Sequence, residues 1–141
     1  MMEKHLGVTG SREPLKQQAI QQILPVLRFF RDQGYGWMHN GDCMNADHLL
    51  ACAWRLLGGK IHLHPPSAPG YRAWFDADET EIPMEYMKRN QSIVDASACL
   101  LAMPKDMHET MRSGTWATVR RALKSRISVY VIWPDGNHGW L

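Results

Sequence analysis

The six consecutive apolar residues Ala98-Cys99-Leu100-Leu101-Ala102-Met103 constrain the fold more than any other stretch. A strand with one wet face alternates, whereas one that is apolar throughout has to be covered on both faces. That is the pattern of a central strand in a parallel sheet. The flanking segments supply the rest. Leu6 and Val8 read as a short buried strand, and Leu15, Ala19, Ile23, Leu27 and Phe30 follow at helical spacing up to Gly34. Pro25 falls inside that pattern and is expected to kink or divide the helix. Trp37-Met38-His39 reads as a second strand. Ala46, Leu49, Leu50, Ala53, Trp54 and Leu57 form an amphipathic stripe that Asn45 caps and Gly58-Gly59 ends.

Ile61 and Leu63 alternate with His62 and His64, as on a half-exposed edge strand. Residues 65–82 form a long loop with three prolines and the aromatics Tyr71, Trp74 and Phe75. Residues 84–95 read as a helix, and Ser113 is placed to cap another over residues 113–125. A last strand over 127–133 stops at Pro134-Asp135-Gly136. Strand and helix in alternation predict an α/β fold, a three-layer sandwich with helices on both faces of a parallel sheet of about five strands. Right-handed crossovers then give the order 3-2-1-4-5, with strands one and four adjacent where the winding reverses. Ligands of such sheets sit in that crevice, beyond the carboxyl ends of the strands.

Two turns are expected to meet there. The first, Val8-Thr9-Gly10-Ser11-Arg12-Glu13, passes from strand to helix through Pro14. It offers a glycine for close backbone approach, a hydroxyl, and a guanidinium that can fork onto phosphate oxygens. The second, Ser113-Gly114-Thr115, opens a helix whose first N–H groups favour an anion. Neither is a GxGxxG or a Walker loop, so the signal lies in their convergence.

Length and charge narrow the classes. A chain of 141 residues is read as one domain, and 45% apolar with 21% charged residues is a globular composition. A net charge of +2 argues against bulk attraction to nucleic acid or to a membrane, although residues 112–126 are locally basic. No apolar run has membrane-spanning length, and Met-Met-Glu-Lys-His lacks a signal-peptide core, so a cytoplasmic location is expected. Cys43, Cys52 and Cys99 form no CxxC pair. Cys52 and Cys99 read as buried thiols, and Cys43 as a more exposed loop residue without an activating base. His62 and His64 share a strand face, but two imidazoles with no third ligand near in sequence are read as an edge strand's polar face. No metal and no cofactor is assigned.

The motifs Gly7-Val8-Thr9-Gly10-Ser11-Arg12-Glu13, Gly41-Asp42-Cys43-Met44-Asn45-Ala46-Asp47, Arg89-Asn90 and Arg112-Ser113-Gly114-Thr115-Trp116-Ala117-Thr118 occur in this order over nearly the whole chain. Together they resemble the SLOG superfamily, which joins the DNA-processing protein A family to the Lonely Guy nucleotide phosphoribohydrolases. The likeness is to small single-domain bacterial and phage-borne members. It implies a Rossmann-like fold holding a nucleotide or a nucleotide-derived signal, and commonly a homo-oligomer. Gly10, Ser11, Arg12, Ser113, Gly114 and Thr115 would surround phosphate, with Asp42, Asp47, Arg89 and Asn90 in the same pocket. Tyr71, Trp74 and Trp116 are candidates to stack on a base. The Lonely Guy pattern carries a catalytic glutamate where this chain has Thr118, and a hydroxyl cannot replace a carboxylate as general acid or base.

The expected function is therefore non-catalytic binding of a small nucleotide, by sensing or sequestration. By family analogy the ligand is an ADP-ribose-type or cyclic nucleotide signal in phage counter-defence. One alternative is cleavage of a nucleoside 5′-monophosphate, with Glu13, Asp106 or Glu109 supplying the carboxylate. Another is single-stranded DNA binding through Arg120, Arg121, Lys124 and Arg126.

Overall fold

Residues Cys99–Met103 form a strand, β5, that is buried at every position, as its composition requires. In the computed structural model, which describes residues 2–141, six further strands join it in one sheet. They are β1 (Lys4–Gly10), β2 (Tyr35–Asn40), β3 (Lys60–Leu63), β4 (Glu79–Thr80), β6 (Ser128–Ile132) and β7 (His138–Trp140). Their order is β4-β3-β2-β1-β5-β6-β7. The five expected strands keep the order 3-2-1-4-5 in the middle, but the sheet has seven strands. β4 adds in parallel outside β3, and β7 adds antiparallel to β6. The His62/His64 strand is thus not the edge.

The alternation in β1 explains the layering. Leu6 and Val8 point into a core built with α1 (Gln17–Ile20), α2 (Ile23–Asp32) and α3 (Ala46–Leu56). The opposite face of the sheet carries α4 (Tyr86–Asp95) and α5 (Gly114–Lys124), whose Ile93, Val94, Trp116 and Val119 pack on Leu100, Ala102, Val129 and Val131. Pro25 does divide the first helix: it is the third residue of α2, where a missing N–H forfeits no helical bond. Asn45 sits at the start of α3, but its side chain donates to the Arg12 carbonyl instead of capping. Ser113 caps α5 as expected, its hydroxyl accepting from the Trp116 N–H at 3.3 Å.

The path after Gly10 differs from expectation. No helix starts at Pro14; the first turn of α1 begins at Gln17 and lasts four residues. The Ser11 hydroxyl instead closes its own turn, accepting from the Glu13 N–H at 3.0 Å. No helix among the described residues is long and apolar enough to cross a membrane.

Candidate functional site

β1 and β5 lie side by side in parallel, with Gly10 opposite Met103, so the turns that follow them leave the sheet together. Between them opens a cleft of about 510 Å³. Gly10 makes the junction fit: a Cβ there would collide with the Ala46 side chain and approach the Met103 carbonyl oxygen to 3.1 Å. Gly10, Ser11 and Arg12 form one wall, and Ser113, Gly114 and Thr115 at the start of α5 form another. Asp47, Arg89 and Asn90 close the floor. The two distant turns therefore do converge.

Each wall has a distinct chemistry. The N–H groups of Gly114 and Thr115 have no backbone partner, as expected at the first turn of an eleven-residue helix. Arg112, exposed at the same rim, makes no side-chain hydrogen bond or ion pair among the described residues. Arg12 is held between aromatic rings, 4.5 Å from the Tyr71 centroid and 5.3 Å from that of Tyr86, and donates to the Tyr86 hydroxyl at 3.3 Å. Lys105 and Glu13 bridge the rim at 2.6 Å.

The floor is buried and charged. Arg89, 7% exposed, donates to the carbonyls of Gly41 at 2.6 Å and His64 at 3.3 Å, and to Asn90 Oδ1 at 2.8 Å. Gly41 makes room for it, since a Cβ there would strike the guanidinium and lie 3.0 Å from Asp47 Oδ2. Asp47 Oδ2 accepts from the Cys43 N–H at 3.2 Å, while Oδ1 is buried without any partner. Burial pushes the Asp47 carboxyl up from 3.8 to about 6, against the pull of the Arg89 charge.

Several expected residues lie elsewhere. Asp42 is fully buried beside the cleft, bound to Arg72 at 2.9 Å and accepting from the Phe75 N–H; it fastens the 65–82 loop. Trp116 is 5% exposed in the second core, 6.0 Å from the Trp133 ring, so it cannot stack on a ligand. Trp74 is 64% exposed under the Arg72 guanidinium and, like Tyr71, does not line the cleft. Tyr71 instead backs Arg12. Tyr86, unremarked in the sequence, is the aromatic that the cleft does present. Thr118 is 1% exposed, its hydroxyl donating to the Gly114 carbonyl at 3.0 Å.

Other assignments shift as well. Glu109 is tied to Arg120 at 2.6 Å, whereas Glu13 and Asp106 line the cleft. Arg120 bonds Glu109 and Arg121 bonds Gln91, so of the four residues Arg120, Arg121, Lys124 and Arg126 the last two make no side-chain hydrogen bond or ion pair among the described residues. Cys43 is buried, not exposed, with its thiol pushed up to about 11 by desolvation, and Cys52 is exposed, not buried.

A second cluster lies on the α4 side of the sheet. β2 brings His39 beside His62 of β3, in direct register, and His64 follows two residues on. The third imidazole that sequence spacing did not supply thus arrives across the sheet. Burial lowers His39 to about 3 and His64 to about 4, with the neighbouring imidazoles acting in the same direction.

No family model matches the chain. No curated protein matches it either. Solved structures do. The molybdenum cofactor binding protein from Rippkaea orientalis superposes with a TM-score of 0.71 at 16% identity, over 94% of this chain and 78% of that one. The X-ray structure of TM1055 gives 0.68 at 16% identity, over 89% and 72%. DNA processing protein A from Helicobacter pylori, described for its single-stranded DNA binding mode, gives 0.64 at 15% identity, over 91% of this chain and 64% of that one. At such identities the likeness concerns the fold alone, and that fold is the Rossmann-like α/β sandwich expected from the sequence.

Proposed function

We propose that the chain binds a small phosphorylated nucleotide in the cleft between β1 and β5 and holds it without cleaving it. One observation carries this reading: the Gly10-Ser11-Arg12 turn and the start of α5 face one another across a single cleft. Phosphate oxygens would lie on the N–H groups of Gly114 and Thr115, where the helix dipole favours an anion, with Arg112 and Arg12 supplying charge. Asp47 Oδ1, buried and unpaired, is a natural acceptor for a sugar hydroxyl. Tyr86 offers a ring face at the rim. The nucleotide-derived signals named above, ADP-ribose-type or cyclic, carry all three of these groups.

Retention instead of hydrolysis is supported by Thr118. Its hydroxyl is turned into the helix and away from the cleft, so no carboxylate stands where the Lonely Guy pattern uses one. Glu13, the nearest rim carboxylate to the first turn, is engaged by Lys105.

Native mass spectrometry of protein purified from cells, followed by calorimetry with ADP-ribose, cyclic nucleotides and a nucleoside 5′-monophosphate, tests this. A retained or titratable nucleotide is expected, with affinity reduced about ten-fold or more by Arg12→Ala, the worth of a charge-assisted contact. Absence of binding across that set, or binding indifferent to Arg12→Ala and Arg112→Ala together, refutes the assignment. Released base on prolonged incubation would refute the non-catalytic part alone. Self-association, which the resemblance implies, is read from the same spectra.

A further inference from the structure

The histidine cluster is independent of what the cleft binds. His39, His62 and His64 each offer one nitrogen, and these three atoms lie within 4.8 Å of one another. Their ring centroids form a nearly equilateral triangle, 5.0 Å for His39–His62, 5.0 Å for His39–His64 and 4.9 Å for His62–His64. Zinc bound to imidazole at 2.0–2.1 Å lies about 3.2 Å from the ring centre, so a tetrahedral pair of such rings is separated by roughly 5.2 Å. The triangle already has that size.

What surrounds the triangle is as informative. Metal-bound imidazoles are held at their far nitrogen by a second partner, which fixes ring orientation and tautomer. Here His64 Nδ1 meets the Ser92 hydroxyl at 2.9 Å, and His39 Nε2 meets His5 Nδ1 at 2.7 Å. His62 lies between carboxylates, Glu79 at 3.3 Å and Glu81 at 3.0 Å. The two nitrogens left over, His39 Nδ1 and His64 Nε2, point at each other across 2.8 Å. Two nitrogens turned toward each other and sharing one hydrogen, each with its opposite nitrogen already supported, form an arrangement that one tautomer shift makes ligating.

We propose that His39, His62 and His64 form a binding site for a divalent cation of borderline softness, zinc in the first instance. All-imidazole donors suit such ions and not magnesium or calcium. On binding, the hydrogen shared between His39 Nδ1 and His64 Nε2 is replaced by the metal. Its proton moves to the far nitrogen of the same ring, which then donates to Ser92 or to His5. No proton leaves the protein in that step. The His62 nitrogen that turns to the metal leaves its carboxylate and releases the proton of that contact to solvent, while Glu79 and Glu81 supply negative charge at the mouth. His39 and His64 are buried while the His62 side chain is 17% exposed, so the site has an open side. Bound metal would tie β2 and β3 to α4 through Ser92.

The test uses chelator-stripped full-length protein titrated with Zn²⁺ by calorimetry and with Co²⁺ by visible absorption. One equivalent is expected, with the absorption of a tetrahedral cobalt site and a thermal midpoint that climbs with metal concentration. His62→Ala, at a half-open position, should weaken binding at least ten-fold, and Ser92→Ala should weaken it about ten-fold through the supporting bond. If His62→Ala fails to fold by circular dichroism, Ser92→Ala carries the comparison. The exposed His48–Cys52 pair, 3.6 Å apart on α3, is the control: replacing both by Ala should leave binding intact. The proposal is overturned by no binding at micromolar metal, by binding that survives both His62→Ala and Ser92→Ala unchanged, or by binding lost with His48 and Cys52.

Discussion

Replacing Asp47 by Asn should make this protein more stable and a poorer binder. The folded carboxyl holds its proton up to about 6, against 3.8 for the free side chain. Burial dominates that rise, and Arg89 offsets only part of it. A group whose folded pKa is raised favours folding when protonated, and that benefit is lost as pH climbs through the folded value. Below pH 3.8 Asp47 is neutral in both states and exacts nothing. Above pH 6 the folded state carries an ionised, half-satisfied carboxylate, a penalty of about 3 kcal/mol from the change of 3.8 to about 6.

Asparagine imitates the neutral acid, and its carbonyl can still accept from the Cys43 N–H. Urea unfolding of wild type and Asp47→Asn at pH 4 and pH 8 should therefore show little difference at the lower pH. At the higher pH the variant should gain of the order of 2–3 kcal/mol, with m unchanged. Nucleotide affinity should fall in the same variant. A gain that is equal at both pH values, or a variant less stable at pH 8, would falsify the reasoning.

Trp116→Phe should be neutral or slightly stabilising, because it removes a buried indole N–H that has no partner, and it should leave ligand affinity untouched. Thermal melts and calorimetry check both. Ser113→Ala removes the cap of α5 and should cost about 1 kcal/mol, seen as a fall of a few degrees in Tm. Thr118→Glu, which rebuilds the Lonely Guy pattern on paper, should destabilise the fold by several kcal/mol and confer no base release, since it forces a carboxylate into a site 1% exposed. Nucleotide incubation with chromatography, alongside urea unfolding, reads that outcome.

The sheet's centre was legible because long apolar runs such as Ala98-Cys99-Leu100-Leu101-Ala102-Met103 admit one environment. β4 and β7, of two and three residues, are too short to carry any periodicity; only the register of β3 and the turn at Gly136 create them. Pro14 reads as a helix opener, but the Ser11 hydroxyl satisfies its own turn, so the helix waits until Gln17. Along the cleft, Gly10 and Ser113 were readable from turn and cap chemistry, whereas Arg89 stood out only through the family resemblance. Asp42 lies in the loop before α3 and Asp47 in the helix's first turn, and spacing alone does not separate their roles. Which of them faces the cleft depends on the positive φ of 57° at Asp42 and 68° at Asn45. His39 joins His62 and His64 only through cross-strand register, which no local pattern encodes.

Two buried polar atoms among the described residues lack a partner, Asp47 Oδ1 and Trp116 Nε1. They sit in the first turns of α3 and α5, the two helices that begin beside the cleft, yet they differ in what can relieve them. Trp116 faces Trp133 in the core, where no ligand reaches. Asp47 opens onto the cleft, so a bound hydroxyl can donate to it, and that bond stabilises the ionised form. Binding then lowers the Asp47 pKa, and by linkage affinity rises as pH climbs through about 6. ADP-ribose is the suitable probe, because its diphosphate diester does not titrate in that range. Its affinity for wild type should increase between pH 5 and pH 7, be flat for Asp47→Asn, and retain the wild-type slope in Trp116→Phe. A slope that persists in Asp47→Asn would move the titrating acceptor to another group and remove the sugar contact from the model of the site.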